Sequence, residues 1–68
     1  MPELYSSDHI ISVLIGEGFQ EVSQKGSHKK FRKGNRRVIV PSPRKEIPIG
    51  TFYSILRQSG LSKNDFKK

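Results

Sequence analysis

The 68-residue sequence contains no cysteine and no tryptophan, and its six aspartates and glutamates are outnumbered by thirteen lysines and arginines. Without cysteine there is neither a disulfide framework nor a thiolate zinc site, so stability must come from apolar packing. The absence fits a reducing compartment, and we expect a cytoplasmic protein. The longest apolar run, residues 10–15, is interrupted by Ser12 and too short to cross a membrane, and no signal-peptide pattern is visible. We expect residues 1–68 to form one domain without a membrane partner.

Several enzyme signatures are missing as well. The sequence has no Walker loop, no glycine-rich dinucleotide fingerprint, no HExxH and no Cys/His cluster. It therefore predicts no metal site and no cofactor.

The net charge is positive, and the cations are concentrated in one part of the chain. The formal net charge is +7, and many of the cations fall between residues 25 and 37. A concentrated positive field favours a polyanionic partner, whereas the alternative is a charged face that is merely solvated.

The basic run contains a predicted β-hairpin. Gly34-Asn35 is a two-residue turn whose leading glycine suits a type II′ connection. This turn places Phe31 opposite Val38 and puts both, with Val40, on one apolar face. The opposite face then carries His28, Lys30, Arg32, Arg37 and Ile39.

The flanking segments predict helices. Apolar residues at 10, 11, 14 and 15 indicate a first helix with Ser7 as N-cap and Gly18 as the left-handed residue after its end. In that helix, His9 is expected to be a solvated surface residue. A second helix is predicted from Gly50-Thr51 to Gly60, with Pro48 near its start, and Ser62 and Asp65 have capping-box spacing for one more turn.

Residues 19–24 are predicted to form the remaining strand, with Val22 pointing inward. A turn at Lys25-Gly26 would place Glu21 opposite Lys30. After Val40 two prolines predict a loop.

The resulting order is helix, three antiparallel strands, helix. We expect an α+β two-layer sandwich in which both helices cover one face of the sheet. The expected core residues are Ile10, Ile11, Leu14, Val22, Phe31, Val38, Val40, Phe52, Ile55 and Leu56.

His28 is the candidate catalytic residue. Imidazole titrates near neutral pH, so it can take a proton from a ribose 2′-hydroxyl or return one to a leaving 5′-oxygen. The neighbouring residues assigned to RNA phosphate binding are Lys25, Ser27, Lys29, Lys30, Arg32 and Arg37. The alternative is that His28 only begins an exposed strand and assists in binding.

Four segments, in order, resemble the HicA toxins. They are Gly18-Phe19, then Gly26-Ser27-His28-Lys29-Lys30-Phe31, then Val40-Pro41, then residues 50–62, GTFYSILRQSGLS. The loose family pattern is GF, GSHxxF, VP and GTLxxILxxAGL. The resemblance implies an mRNA interferase with a fold like the double-stranded RNA-binding domain, His28 as its essential histidine, and a HicB antitoxin that binds and occludes it.

The chain departs from that family pattern at three positions. Many relatives carry a further histidine shortly after the VP pair, where this chain has Pro43, while Phe52 and Ser59 replace the usual Leu and Ala. Two other functions stay open at this point: a non-catalytic RNA- or DNA-binding module, and a protein-binding module whose basic face docks an acidic partner.

Overall fold

A computed structural model describes residues 4–67 of the chain. The elements are α1 (Ser7–Gly16), β1 (Gln20–Lys25), β2 (His28–Lys33), β3 (Arg36–Pro41), α2 (Ile49–Ser59) and a one-turn 3-10 helix (Lys63–Phe66). This order confirms the predicted α+β fold. Residues 1–3 and 68 of the expected domain lie outside the described residues.

Helix α1 begins one residue earlier than predicted. Ser6 is the N-cap, and its hydroxyl accepts a hydrogen bond from the His9 amide at 3.1 Å. Ser7, the predicted cap, is the first helical residue and is buried. The predicted end is confirmed: Gly18 has a φ of +98°, the left-handed conformation that lets the chain turn away after the helix.

The hairpin of β2 and β3 has the predicted register. Phe31 lies opposite Val38, Lys29 opposite Val40, and Lys33 opposite Arg36 at the turn. Gly34 has a φ of +58°, whereas Asn35 has no positive φ, which fits a turn that needs glycine only at its first position.

The turn between β1 and β2 was predicted one residue too early. Gly26 and Ser27 form it, and Gly26 takes a φ of +60°, so the leading-glycine rule of the other turn applies here too. The ladder then contains a bulge between Glu21 and Ser23. The bulge leaves Val22 51% exposed, so the inward orientation predicted for it is wrong.

The same shift changes the partner of Glu21. It lies opposite Phe31 rather than Lys30, and its carboxylate is 3.9 Å from the Lys29 ammonium. The pair is partly exposed and contributes at most about 1 kcal/mol.

Both helices pack on the face of the sheet that carries Phe31, Val38 and Val40. The buried apolar cluster consists of Ile10, Leu14, Phe19, Phe31, Val38, Val40, Ile47, Phe52, Ile55 and Phe66. Ile11 and Leu56 pack against it from partly buried positions. The predicted core is therefore confirmed except for Val22, and it gains Phe19, Ile47 and Phe66.

The C-terminal 3-10 helix packs against α1 and adds Phe66 to the core. Ser62 and Asp65 form the predicted capping box, with the Ser62 amide donating to the Asp65 carboxylate at 2.9 Å. His9 is half-buried rather than solvated: its Nε2 lies 2.6 Å from the Phe66 carbonyl oxygen, and its ring packs on Tyr5. This histidine has a structural role in holding the 3-10 turn against α1.

Replacing Ser7 should test how the irregular loop after β3 is held. The Ser7 hydroxyl donates to the Arg44 carbonyl at 3.2 Å and accepts from the Arg44 amide at 3.0 Å. Because Ser7→Ala removes a buried hydroxyl that bonds both the amide and the carbonyl of Arg44, we expect it to lower the free energy of unfolding by about 1–3 kcal/mol in urea denaturation. Ser12→Ala, at an exposed position of α1, is the control. Equal stability of the two variants would contradict this account of the loop.

Candidate nucleic-acid interface

The sheet face turned away from the core carries a grid of cations. Residues paired across antiparallel strands share a face, so the register fixes which side chains lie together. The outward rows are Lys25, His28 and Pro41; then Ser23, Lys30 and Ile39; then Gln20, Arg32 and Arg37. We call these nine residues the outer face.

The two arginines of this face oppose each other at close range. A two-residue hairpin loop makes Lys33 and Arg36 a hydrogen-bonded pair, so the next pair, Arg32 and Arg37, is of the non-hydrogen-bonded kind with Cα atoms about 4.5 Å apart. Like charges placed directly opposite each other are destabilising. The Arg32 Nε donates to the Gly34 carbonyl at 3.0 Å, which holds this side chain over the turn. A bound anion would relieve the repulsion between the two guanidinium groups.

Strand β3 extends one residue beyond its predicted end, to Pro41, which lies opposite His28. The alternation that applies to Arg37 and Ile39 also turns the backbone nitrogen of residue 41 away from β2. Proline at this position therefore removes no ladder hydrogen bond, which is why the strand tolerates it.

Helix α2 lies along the open edge of β3. The outward amide of Ile39 donates to the Gln58 side-chain oxygen at 3.0 Å. The outer face, predicted to be bare, is therefore bounded on this side by a helix, and the boundary forms a groove of about 330 Å³. The groove is lined by His28, Ile39, Pro41, Arg44, Pro48, Thr51, Ser54 and Gln58.

His28 reaches this groove from the first position of β2. It is exposed, and it stands beside the Gly26-Ser27 turn, where the chain has just reversed direction. The Ser27 carbonyl accepts a hydrogen bond from the Ser42 amide at 2.6 Å, which fastens this turn to the chain leaving β3. The imidazole is thus accessible to a ligand while its backbone is held from two sides.

Five of the predicted site residues share the outer face: Lys25, His28, Lys30, Arg32 and Arg37. Ser27 occupies the turn next to them. Lys29 lies on the opposite face, half-buried beside Glu21, and is not brought together with the others.

Arg44, Ser54 and Gln58 line the groove and were not predicted as site residues. Arg44 belongs to a loop whose path cannot be derived from local pattern, because it is set by contacts with Ser7, 37 positions away. The polar residues of α2 that line the groove, Thr51, Ser54 and Gln58, recur at intervals of three and four. That spacing was a usable signal for a polar stripe beside the apolar one.

One departure from the family pattern, Pro43, lies in this loop. Pro43 lies on the side of the loop that faces Ser6, Ser7 and Asp8, and it does not line the groove that contains His28. Position 43 is therefore outside this groove.

A comparison with protein-family models gave a match over most of the chain. The family model described as HicA toxin of bacterial toxin-antitoxin matches residues 7–61 of the 68-residue chain, which include every element from α1 to α2. A comparison with curated proteins gave no match. Within residues 4–67, neither helix has the length and apolar character needed to cross a membrane.

Substituting Gln58 should weaken the contact between α2 and β3 that borders the groove. Gln58→Ala removes the acceptor for the Ile39 amide, so we expect that amide to exchange its hydrogen faster and the free energy of unfolding to fall by about 0.5–1.5 kcal/mol. Arg57→Ala, at the adjacent exposed position, serves as the control. Hydrogen exchange followed by NMR would contradict this role for Gln58 if the Ile39 amide were protected equally in both variants.

Proposed function

Because the chain belongs to the HicA toxin family and so is a toxin of a toxin–antitoxin system, we propose that it is an mRNA interferase that uses His28. The observation that carries the proposal is the location of one exposed imidazole in a groove at the end of a face with four cations. Cleavage of mRNA would block translation and so stop growth.

The reaction is a transphosphorylation. His28 takes the proton of a ribose 2′-hydroxyl, and the 2′-oxygen attacks the adjacent phosphorus, forming a new P–O bond. The P–O5′ bond breaks, and the leaving 5′-oxygen takes a proton from a water molecule. The resulting hydroxide takes the proton held by the His28 imidazolium, which returns the imidazole to its neutral form. The products are a 2′,3′-cyclic phosphate and a 5′-hydroxyl end. The step uses the His28 imidazole and the positive charges of the outer face, and it requires no cofactor.

The cations of the outer face bind the flanking phosphates. Lys30 and Arg32 follow His28 at alternate positions of β2, so successive side chains lie about 7 Å apart. Arg37 and Lys25 extend the positive surface onto the neighbouring strands. Lys29, on the opposite face, adds only to the long-range field, and Ser27 contributes through its place beside His28.

The partner that neutralises the toxin is its cognate antitoxin. We propose a HicB-like protein whose acidic groups cover the outer face and close off His28, since charge complementarity is what selects such a partner. We place the protein in the cytoplasm, where its mRNA substrate is found.

The competing function, a non-catalytic RNA- or DNA-binding module, uses the same outer face. The opposed Arg32 and Arg37 favour anion binding under either function. Only chemistry at His28 separates the two.

Cleavage of a defined RNA by the purified protein in EDTA is the first test. We expect His28→Ala to lower the cleavage rate at least about 100-fold, while RNA affinity changes only a few-fold, because the proton acceptor is lost and the cations remain. An RNA with 2′-deoxyribose at the mapped cut should not be cut. Gln24→Ala, an exposed change on β1, is the control. Unchanged cleavage by His28→Ala, or cutting of the deoxy substrate, would rule out the mechanism.

The salt dependence of binding tests the outer face. Arg37→Ala should lower RNA affinity and reduce the slope of log K against log salt by about 0.7, the value for one lost contact to a single strand. Fluorescence anisotropy with a 2′-O-methyl RNA, titrated over a series of salt concentrations, gives the slope. Lys63→Ala, in the 3-10 turn, should leave it unchanged. Equal slopes for the two variants would mean that RNA does not contact Arg37.

A further inference from the structure

Three hydrogen bonds to Ser7 hold the backbone of Arg44, in the loop between β3 and α2. The Ser7 amide donates to its carbonyl at 2.9 Å, the Ser7 hydroxyl donates to the same oxygen at 3.2 Å, and its own amide donates to that hydroxyl at 3.0 Å. Ser7 is only 1% exposed, so these bonds are sheltered from water. All three bonds use the backbone of Arg44, which leaves its side chain exposed and uncommitted.

The loop brings this side chain to the groove of His28. Its first residue follows Pro41, the partner of His28 in the sheet, and the Ser42 amide is bonded to Ser27 on the other side. The loop is therefore fastened next to His28 and again at Arg44. Arg44 and His28 line the same groove.

The guanidinium of Arg44 has no competing partner in the part of the chain that the structure describes. The ion pair found there joins Lys29 to Glu21, on the other face of the sheet, and no described carboxylate lies within 4 Å of Arg44. A guanidinium is permanently charged and offers parallel N–H groups that match two oxygens of a phosphate.

We propose that Arg44 is a second catalytic residue, which binds the non-bridging oxygens of the scissile phosphate. This inference rests on the proposed ribonuclease function. Negative charge grows on these oxygens as the 2′-oxygen attacks, and a guanidinium carried on a backbone that Ser7 holds in place can stabilise this charge. Arg44 exchanges no proton: His28 removes the 2′ proton, and water protonates the leaving 5′-oxygen. This division of roles needs no second imidazole.

The outer-face cations are less well placed for this role. Lys30 and Arg32 are two and four residues from His28 along β2, so their Cα atoms lie about 7 and 13 Å away. Both lie further along β2 and are better placed to bind the phosphates that flank the scissile one. Arg44 lines the groove that contains His28, whereas neither Lys30 nor Arg32 lines it.

Single-turnover cleavage at saturating protein tests the proposal. Arg44→Ala should slow cleavage about 100-fold, with the dissociation constant for a 2′-O-methyl RNA changed no more than about 3-fold, as expected for a group that acts mainly on the transition state. Arg44→Lys should recover part of the rate. Lys45→Ala, whose residue is exposed but does not line the groove, should cleave like the native chain. The three bonds to Ser7 persist in each variant because they are made by the backbone, and a thermal melt checks this.

Sulfur substitution at the scissile phosphate gives a readout that a structural role would not move. In the native chain, replacing the non-bridging oxygen that Arg44 contacts should slow cleavage more than replacing the other one. In Arg44→Ala this difference between the two diastereomers should disappear.

Three results would overturn the role of Arg44. They are Arg44→Ala cleaving as fast as Lys45→Ala, a loss of affinity with an unchanged saturated rate, and a diastereomer difference that persists without the guanidinium. Failure of the ribonuclease function itself would look different, because the native chain and His28→Ala would then leave the RNA equally intact.

Discussion

The buried pairing of Phe31 with Val38 is the constraint on which the rest of the structure depends. Both side chains are fully excluded from solvent, and they face each other across β2 and β3. Because strand side chains alternate, burying this pair forces the even-numbered residues of β2 outward, His28 among them. A shift of one residue would place cations in the core and expose the apolar set, so the stability of the fold and the composition of the outer face follow from one register.

The helices convert that face into a site. Gln58 of α2 caps an open amide of β3, and Ser7 of α1 holds the backbone of Arg44. Each helix thus contributes one polar residue to the surroundings of His28, in addition to its apolar packing. The unfavourable part of the arrangement is the opposition of Arg32 and Arg37, which core burial offsets in the free protein and which an anionic ligand would relieve.

The sequence was sufficient wherever a local rule decided the structure. Gly34 set the hairpin, Gly18 and Gly60 ended the helices, and Ser62 with Asp65 predicted the last turn. The misplaced turn at Lys25-Gly26 could have been avoided by applying the leading-glycine rule twice. The bulge that exposes Val22 is different, because it reconciles the turn register with packing further along β1. The path of residues 42–46, and with it the position of Arg44, could not be predicted because it depends on hydrogen bonds to residues distant in the sequence, Ser7 and Ser27.

An NMR titration of the labelled protein with a 2′-O-methyl RNA, which cannot be cleaved, tests most directly whether the outer face set by the strand register binds RNA. We expect the largest chemical-shift changes at His28, Lys30, Arg32 and Arg37, with smaller changes at Arg44 and Ser54 of the groove and none at the exposed residues of α1. Shift changes centred on α1 or on Lys29 and Glu21, with the outer face unaffected, would contradict it.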